Sequence, residues 1–395
     1  MTSSLTILDA TMPDGSRSSL RIVDGVVVGL VDRQVDGDVV LDAAGRLLLP
    51  AFVEPHAHLD KAFLAEQVPN PTGDLMGAIL AMEAHAGRIT HDDIVERAER
   101  AARLYAANGT TLIRSHVDVT EFTGVRSVEA LADVRRRVAG LIDLELVALC
   151  GWPITGPEGQ RQRELLLAAV EAGADVVGGC PHLDERSEAS IEVFLEMADR
   201  AGLPVDLHTD EHLDASRTTL PALVERIRVT GFKGAVTASH CVSLGLRAPD
   251  EQRRIAEDLA DAGVGVVTLP ATNLFLQGRD HLQAMPRGLT ALPALRAAGV
   301  DVAAGWDNLQ DPFNPLGRAD PLEVAGLMIL AGHHLPVDAL ASVTTAARRV
   351  LRRPETGPTP GAVADLVLVA AADVRSAISS APADRVVVRG GRIVA

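Results

Sequence analysis

The chain has 395 residues, enough for one large barrel with a smaller unit or for two ordinary domains, and 47% of them are apolar. A net charge of −16 argues against a nucleic-acid or anionic-membrane partner but leaves the local field of a pocket open. No apolar run nears the roughly 18 residues of a membrane span, the first 15 residues lack the regions of a secretory leader, and three cysteines (Cys150, Cys180, Cys241) without zinc-ribbon spacing read as reduced thiols in the cytoplasm.

From the N-terminus, short β-like runs alternate with turn residues: LTILDA, then PDG, LRIVDG and VVVGLVD. The C-terminus repeats this with ADLVLVAAA and RVVVRGGRIVA, the latter a hairpin around Gly390-Gly391. Neither part holds a core alone, so residues 1–47 and 361–395 are expected to pair into one small β-sandwich. Between them, residues 48–360 repeat a helical pattern that ends in Gly and runs into an apolar strand. NGTTLIRSHVD, AGADVVGGCPH, AGLPVDLHTDE, KGAVTASHC, AGVGVVTLP and AGVDVAAGWDN fit that unit, and LLLPAFVEPH and DLELVALCGW bring the strands to eight. DEQRRIAEDLADAG (250–263) is one of the amphipathic helices between them. Eight such units predict an α/β fold, a (β/α)8 TIM-like barrel, beside the sandwich. An open doubly wound sheet is the runner-up, and the Gly-rich phosphate loop it requires is absent from the sequence.

Chemistry in such a barrel gathers at the C-terminal ends of its strands. Here the first strand ends in His56 and His58, the fifth in His208 with Asp210 and Glu211, the sixth in His240, and the eighth in Trp306, Asp307 and Asn308. His56 and His58, two apart, share a strand face. A lone histidine at a strand end is more often a hydrogen-bonded structural residue than a ligand. Four histidines and one aspartate at the ends of four strands point instead to one ion, and three imidazoles with one carboxylate suit zinc or ferrous iron. Lys61 reads as a surface or first-turn ion pair. Strand 4, VVGGCPHLD, has no lysine to bridge two ions, which favours a mononuclear site. His116 and His182 stay open between supporting the site and structure. His85, His91, His281, His333 and His334 read as surface or structural, and the cysteines as small buried residues.

EPHAHLDKAFL, HTDEHLD (208–214), TASHCVSL (237–244), NLFLQGR (273–279) and GWDNLQDPFNPLG (305–317) resemble the cytosine deaminase branch of the amidohydrolase superfamily, which includes N-isopropylammelide isopropylaminohydrolase. The likeness runs over nearly the whole chain. It implies that His56, His58, His208 and Asp307 bind one divalent metal, that Glu211 shuttles protons, and that His240 stands beside the attacking water, with Asp307 taking that water's proton. Two departures concern substrate: Gly151-Trp152 replaces the glutamine that reads the pyrimidine edge, and Asn308 replaces a second aspartate. The tryptophan of the family's DPW run is Phe313 here. Trp152, Asn308 and Phe313 are therefore the expected substrate-binding residues, for a ring other than cytosine. Trp152 reads equally as a barrel cap.

The resulting expectation is a metal-dependent aminohydrolase: metal-activated water displaces ammonia or an alkylamine from a ring carbon of a small nitrogen heterocycle. It needs no nucleic acid or membrane, and a homo-oligomer is left open. Ring-opening hydrolysis of a cyclic amide is the alternative enzyme reading. A non-catalytic scaffold should have lost a ligand, and none is lost here.

Overall fold

The computed structural model describes residues 4–395. Five short strands come first: β1 (Ser4–Thr11), β2 (Arg17–Val23), β3 (Val26–Val31), β4 (Val39–Asp42) and β5 (Leu47–Pro50). Eight strands then alternate with helices: β6 (Phe52–Ala57), β7 (Thr110–Val119), β8 (Asp143–Cys150), β9 (Val176–Gly179), β10 (Val205–Thr209), β11 (Val236–His240), β12 (Gly265–Thr268) and β13 (Val302–Ala304). The chain closes with β14 (Leu366–Val369), β15 (Arg385–Arg389) and β16 (Arg392–Ile393).

Strands β6 to β13 pair in sequence order and all in parallel. The ring is closed by a parallel bridge between Ala57 and Asp307. The Asp307 N–H donates to the His56 carbonyl at 3.1 Å, and the His58 N–H donates to the Asp307 carbonyl at 3.2 Å. This is the predicted (β/α)8 barrel. Its helices bury one stripe each, as Pro249–Asp261 does with Ile255, Ala256 and Leu259. The helix Ser187–Ala201 ends at Gly202, whose φ of +66° suits a residue without a Cβ and turns the chain into β10.

The terminal strands form one eight-stranded sheet in the order β16-β15-β14-β5-β1-β2-β3, with β4 also on β1. Leu48, Leu366 and Leu368 share a core with Leu5, Ile7, Leu20 and Ile22, so the two halves of this sheet face each other. Alternate residues of the same central strands, Leu47, Leu49, Val367 and Val369, pack with Leu322, Met328 and Leu340 of the barrel's last helices. Burial on both faces is why LLLP and LVLV read as unbroken apolar runs. It also explains a difference from the sequence reading. LLLPAFVEPH is not one strand: Leu47–Pro50 is β5 of the terminal sheet, and only Phe52–Ala57 enters the barrel. Among the described residues no helix is long and apolar enough to cross a membrane.

Candidate active site

The barrel interior begins with a layer of paired charge. Arg114 of β7 donates to Glu145 Oε2 at 2.6 Å and to Asp206 Oδ2 at 2.8 Å, and Arg353 donates to Glu145 Oε1 at 2.7 Å. The Ser239 hydroxyl donates to Asp206 Oδ1 at 2.9 Å and lies 3.0 Å from His56 Nδ1. This chain of contacts fixes the His56 ring from below and leaves its Nε2 for the rim.

At the C-terminal ends of the strands, three imidazole nitrogens converge. His56 Nε2 and His58 Nε2 lie 3.2 and 3.3 Å from His208 Nε2. Asp307 Oδ1 is 3.1 Å from His58 Nε2 and 3.6 Å from His56 Nε2. All four side chains are buried, and neither oxygen of Asp307 accepts a hydrogen bond. Burial, then the neighbouring imidazoles, holds His56 and His208 well below the ordinary imidazole range, so they are neutral; burial, then Lys61, does the same to His58. Burial, with Glu211 and Asp311 nearby, pushes the Asp307 carboxyl well above its usual range. Lone pairs of three neutral nitrogens and an orphaned buried carboxyl group aimed at one point are costly without a cation and suit one well. The donor set therefore fits a divalent metal.

The backbone is bent to make this possible. Asp307 has φ +76° and His240 φ +68°, left-handed values that a non-glycine residue adopts at a cost of about 1–3 kcal/mol. The two bridge hydrogen bonds to β6 hold Asp307 there, and the pairing of Thr209 with His240 ends β11 at the turn.

Glu211 and His240 flank the cluster. Their Oε1 and Nδ1 atoms are 3.5 Å apart, and His240 Nε2 is 4.0 Å from Asp307 Oδ2. The Asn273 amide donates toward both, 3.2 Å from His240 Nδ1 and 3.5 Å from Glu211 Oε1. Nδ1 thus accepts, which places the proton of a neutral His240 on Nε2. Burial pushes the Glu211 carboxyl up to about 8 and His240 down to about 3.

A cavity opens above these groups and reaches His58, His208, Glu211, His240 and Asp307. Trp152, Asn308 and Phe313 line it as well, so the three expected substrate-binding residues share one space with His58, His208, Glu211, His240 and Asp307, while His56 lies behind its wall. Trp152 is 37% exposed at its mouth. The Asn308 amide donates to Asp311 Oδ2 at 2.8 Å, which fixes its orientation. Leu75, Ile79 and Met82, all from one helix (Leu75–His85), join Ile89 and Phe122 in an apolar wall. Trp306 is buried in the core under the terminal sheet and does not reach the cavity.

Further residues belong here. Lys61 forms the expected ion pair, Nζ 2.6 Å from Asp118 Oδ1, but its surface placement is a correction: it is 3% exposed and lines the cavity. Asp118 is the penultimate residue of β7, two after His116 and on the same strand face, a parity visible in SHVD. Asn273 lies in NLFLQGR, and nothing local in that run marks its contact with Glu211. Cys180 also lines the cavity and is only partly buried, unlike Cys150 and Cys241. His116 stacks on His56 with ring centres 3.8 Å apart, and His182 Nδ1 is 3.0 Å from the His208 carbonyl; both support ligand-bearing strands.

Residues 93–395 match the amidohydrolase family. The chain is 34% identical over 360 residues to the pterin deaminase of Rhizobium rhizogenes, spanning 89% of this chain and 82% of that protein. It is 25% identical over 382 residues to the N-isopropylammelide isopropyl amidohydrolase of Pseudomonas sp. (strain ADP), spanning 92% and 90%. The 5-methylcytosine deaminase of Klebsiella pneumoniae, solved with 5-fluorocytosine, superposes with a TM-score of 0.90 at 30% identity over 99% of this chain and 97% of that one.

Proposed function

The chain belongs to the amidohydrolase family, a metal-dependent family, and from that premise we propose that His56, His58, His208 and Asp307 hold one divalent ion, zinc or iron, in an aminohydrolase of a small nitrogen heterocycle. It is a hydrolase of carbon–nitrogen bonds other than peptide bonds. The observation that carries the residue assignment is the convergence of three Nε2 atoms and Asp307 Oδ1 on one point, with Glu211 and His240 beside it.

A divalent ion in this site supplies Lewis-acid activation of water near neutral pH. The protein's own groups manage the protons. Asp307 takes a proton from the attacking water. Glu211 still carries its proton at neutral pH and donates it to the ring nitrogen next to the attacked carbon; the carboxylate then takes the proton of the new hydroxyl on that carbon and passes it to the departing amine. His240, neutral with Nε2–H toward Asp307, holds the incoming oxygen. The ring carbon becomes a carbonyl, and ammonia or an alkylamine leaves. Trp152 and Phe313 flank a flat ring, while Asn308 offers it a donor and an acceptor.

The division into residues 1–47 with 361–395 and residues 48–360 belongs to the same reading. Two separate sheets support it, with β5 carrying the first boundary to Pro50. A reducing, cytoplasmic setting also goes with it, because the three cysteines are unpaired.

The test is amine release by the zinc- or iron-loaded protein from cytosines, pterins and aminotriazines, with the products identified. Release with the ring intact, abolished by chelation, supports the aminohydrolase. A ring-opened product, or no release with metal bound, overturns it.

A further inference from the structure

The chemistry above leaves three charged side chains of the cavity unused: Glu83, exposed on the helix Leu75–His85, and the adjacent pair Lys61 and Asp118. The pair stands after β6 and near the end of β7, the first two barrel strands, whereas Glu211 and His240 come from β10 and β11, across the barrel. Lys61 Nζ lies 2.6 Å from Asp118 Oδ1, 3.7 Å from Asp60 Oδ1 and 5.9 Å from the centre of the Phe313 ring. An ammonium has three N–H donors, and the two carboxylates engage at most two. Asp60 is further committed, because its Oδ2 accepts the Asp118 N–H at 3.0 Å. Asp118 uses Oδ1 for the lysine, and among the described residues no side-chain donor reaches Oδ2; its side chain is 21% exposed. The wall thus carries a spare donor and a spare acceptor side by side. β8 and its end contribute Leu149, Cys150, Gly151 and Trp152 to the cavity, none of which offers such a pair.

Resting on the aminohydrolase reading, we propose that Lys61 and Asp118 read the far edge of the substrate ring, Lys61 donating to a ring oxo group and Asp118 accepting from the adjacent ring N–H. The substrate class is then a heterocycle with a cyclic-amide edge in addition to the carbon that loses its amine. A buried lysine at a cavity wall is costly to desolvate, and an acceptor from the ligand for its remaining N–H offsets that cost.

The experiment measures binding and turnover by the zinc-loaded full chain on matched rings: 4-oxo and 4-unsubstituted aminopyrimidines and aminopteridines, and the oxo rings with the adjacent nitrogen methylated. The wild type is expected to bind the oxo N–H ring about 10- to 100-fold more tightly than either partner of its pair. Lys61→Met should erase the oxo preference with metal content unchanged. Asp118→Asn, which preserves shape and a contact to Lys61, should erase the preference for N–H over N-methyl. Equal affinity for both members of each pair in the wild type, an equal loss on both in the variants, or no binding of any ring overturns the proposal. Oxo-selective binding without amine release leaves this edge assignment standing and removes the aminohydrolase reading instead.

Discussion

The lower interior of the barrel and its rim bury polar groups in opposite ways. Below, Arg114, Glu145, Asp206, Arg353 and Ser239 satisfy one another, charge against charge and hydroxyl against carboxylate. A few ångströms higher, both oxygens of Asp307, Nδ1 of His58 and of His208, and both ring nitrogens of His116 have no hydrogen-bond partner. Buried polar atoms are rarely left so. The lower layer is complete within the protein and serves its stability. The rim leaves both oxygens of Asp307 without a partner beside three converging Nε2 atoms, and the proposed ion would complete that part of it.

The contrast can be tested from both sides. His208→Ala should abolish bound metal, read by elemental analysis, and turnover with it, while the denaturant midpoint of the metal-free protein stays the same or rises, since removing an ill-satisfied buried group relieves strain. Glu211→Gln should keep fold and metal and lower kcat by about 10²- to 10⁴-fold. Arg114→Met attacks the paired layer and leaves Glu145 and Asp206 buried beside an apolar chain. A stability loss of about 3–5 kcal/mol in urea unfolding is expected. A loss confined to activity would break the distinction. Ser239→Ala lies between the layers. It frees His56 Nδ1 and should weaken metal affinity by about 10- to 100-fold in a chelator competition. The smallest effect concerns pH. Burial raises the Glu211 carboxyl to about 8, so the proton it donates is present below that value and lost above it. kcat should fall about tenfold per unit above pH 8, and Glu211→Gln should flatten that limb.

Much of this was legible in the sequence because barrel geometry converts strand ends into a site. His56 and His58 share a face by parity, and His208, His240 and Asp307 end their strands, so the fold class alone brings them together. Lys61 was misread because its burial depends on Asp118, on the neighbouring strand and far along the chain. A charged residue just past a strand end looks solvated when only its own neighbours are seen. The break in LLLPAFVEPH was hidden for a related reason. Leu47–Pro50 and Phe52–Ala57 are both buried, and apolar character does not say which sheet a strand joins. Trp306 and Trp152 sit alike at strand ends, yet one enters a core and the other the cavity mouth.

The seam that closes the barrel is also where the last of the proposed ligands stands, since Asp307 pairs with Ala57, between His56 and His58. This has a consequence for synthesis. A chain emerging from the ribosome carries all three imidazoles through the making of three more strands, with no carboxylate to complete them. Reactivity therefore arrives only with the final stave of the barrel. On the proposed assignment, a chain cut short of Asp307 has the three histidines but lacks the carboxylate of the site.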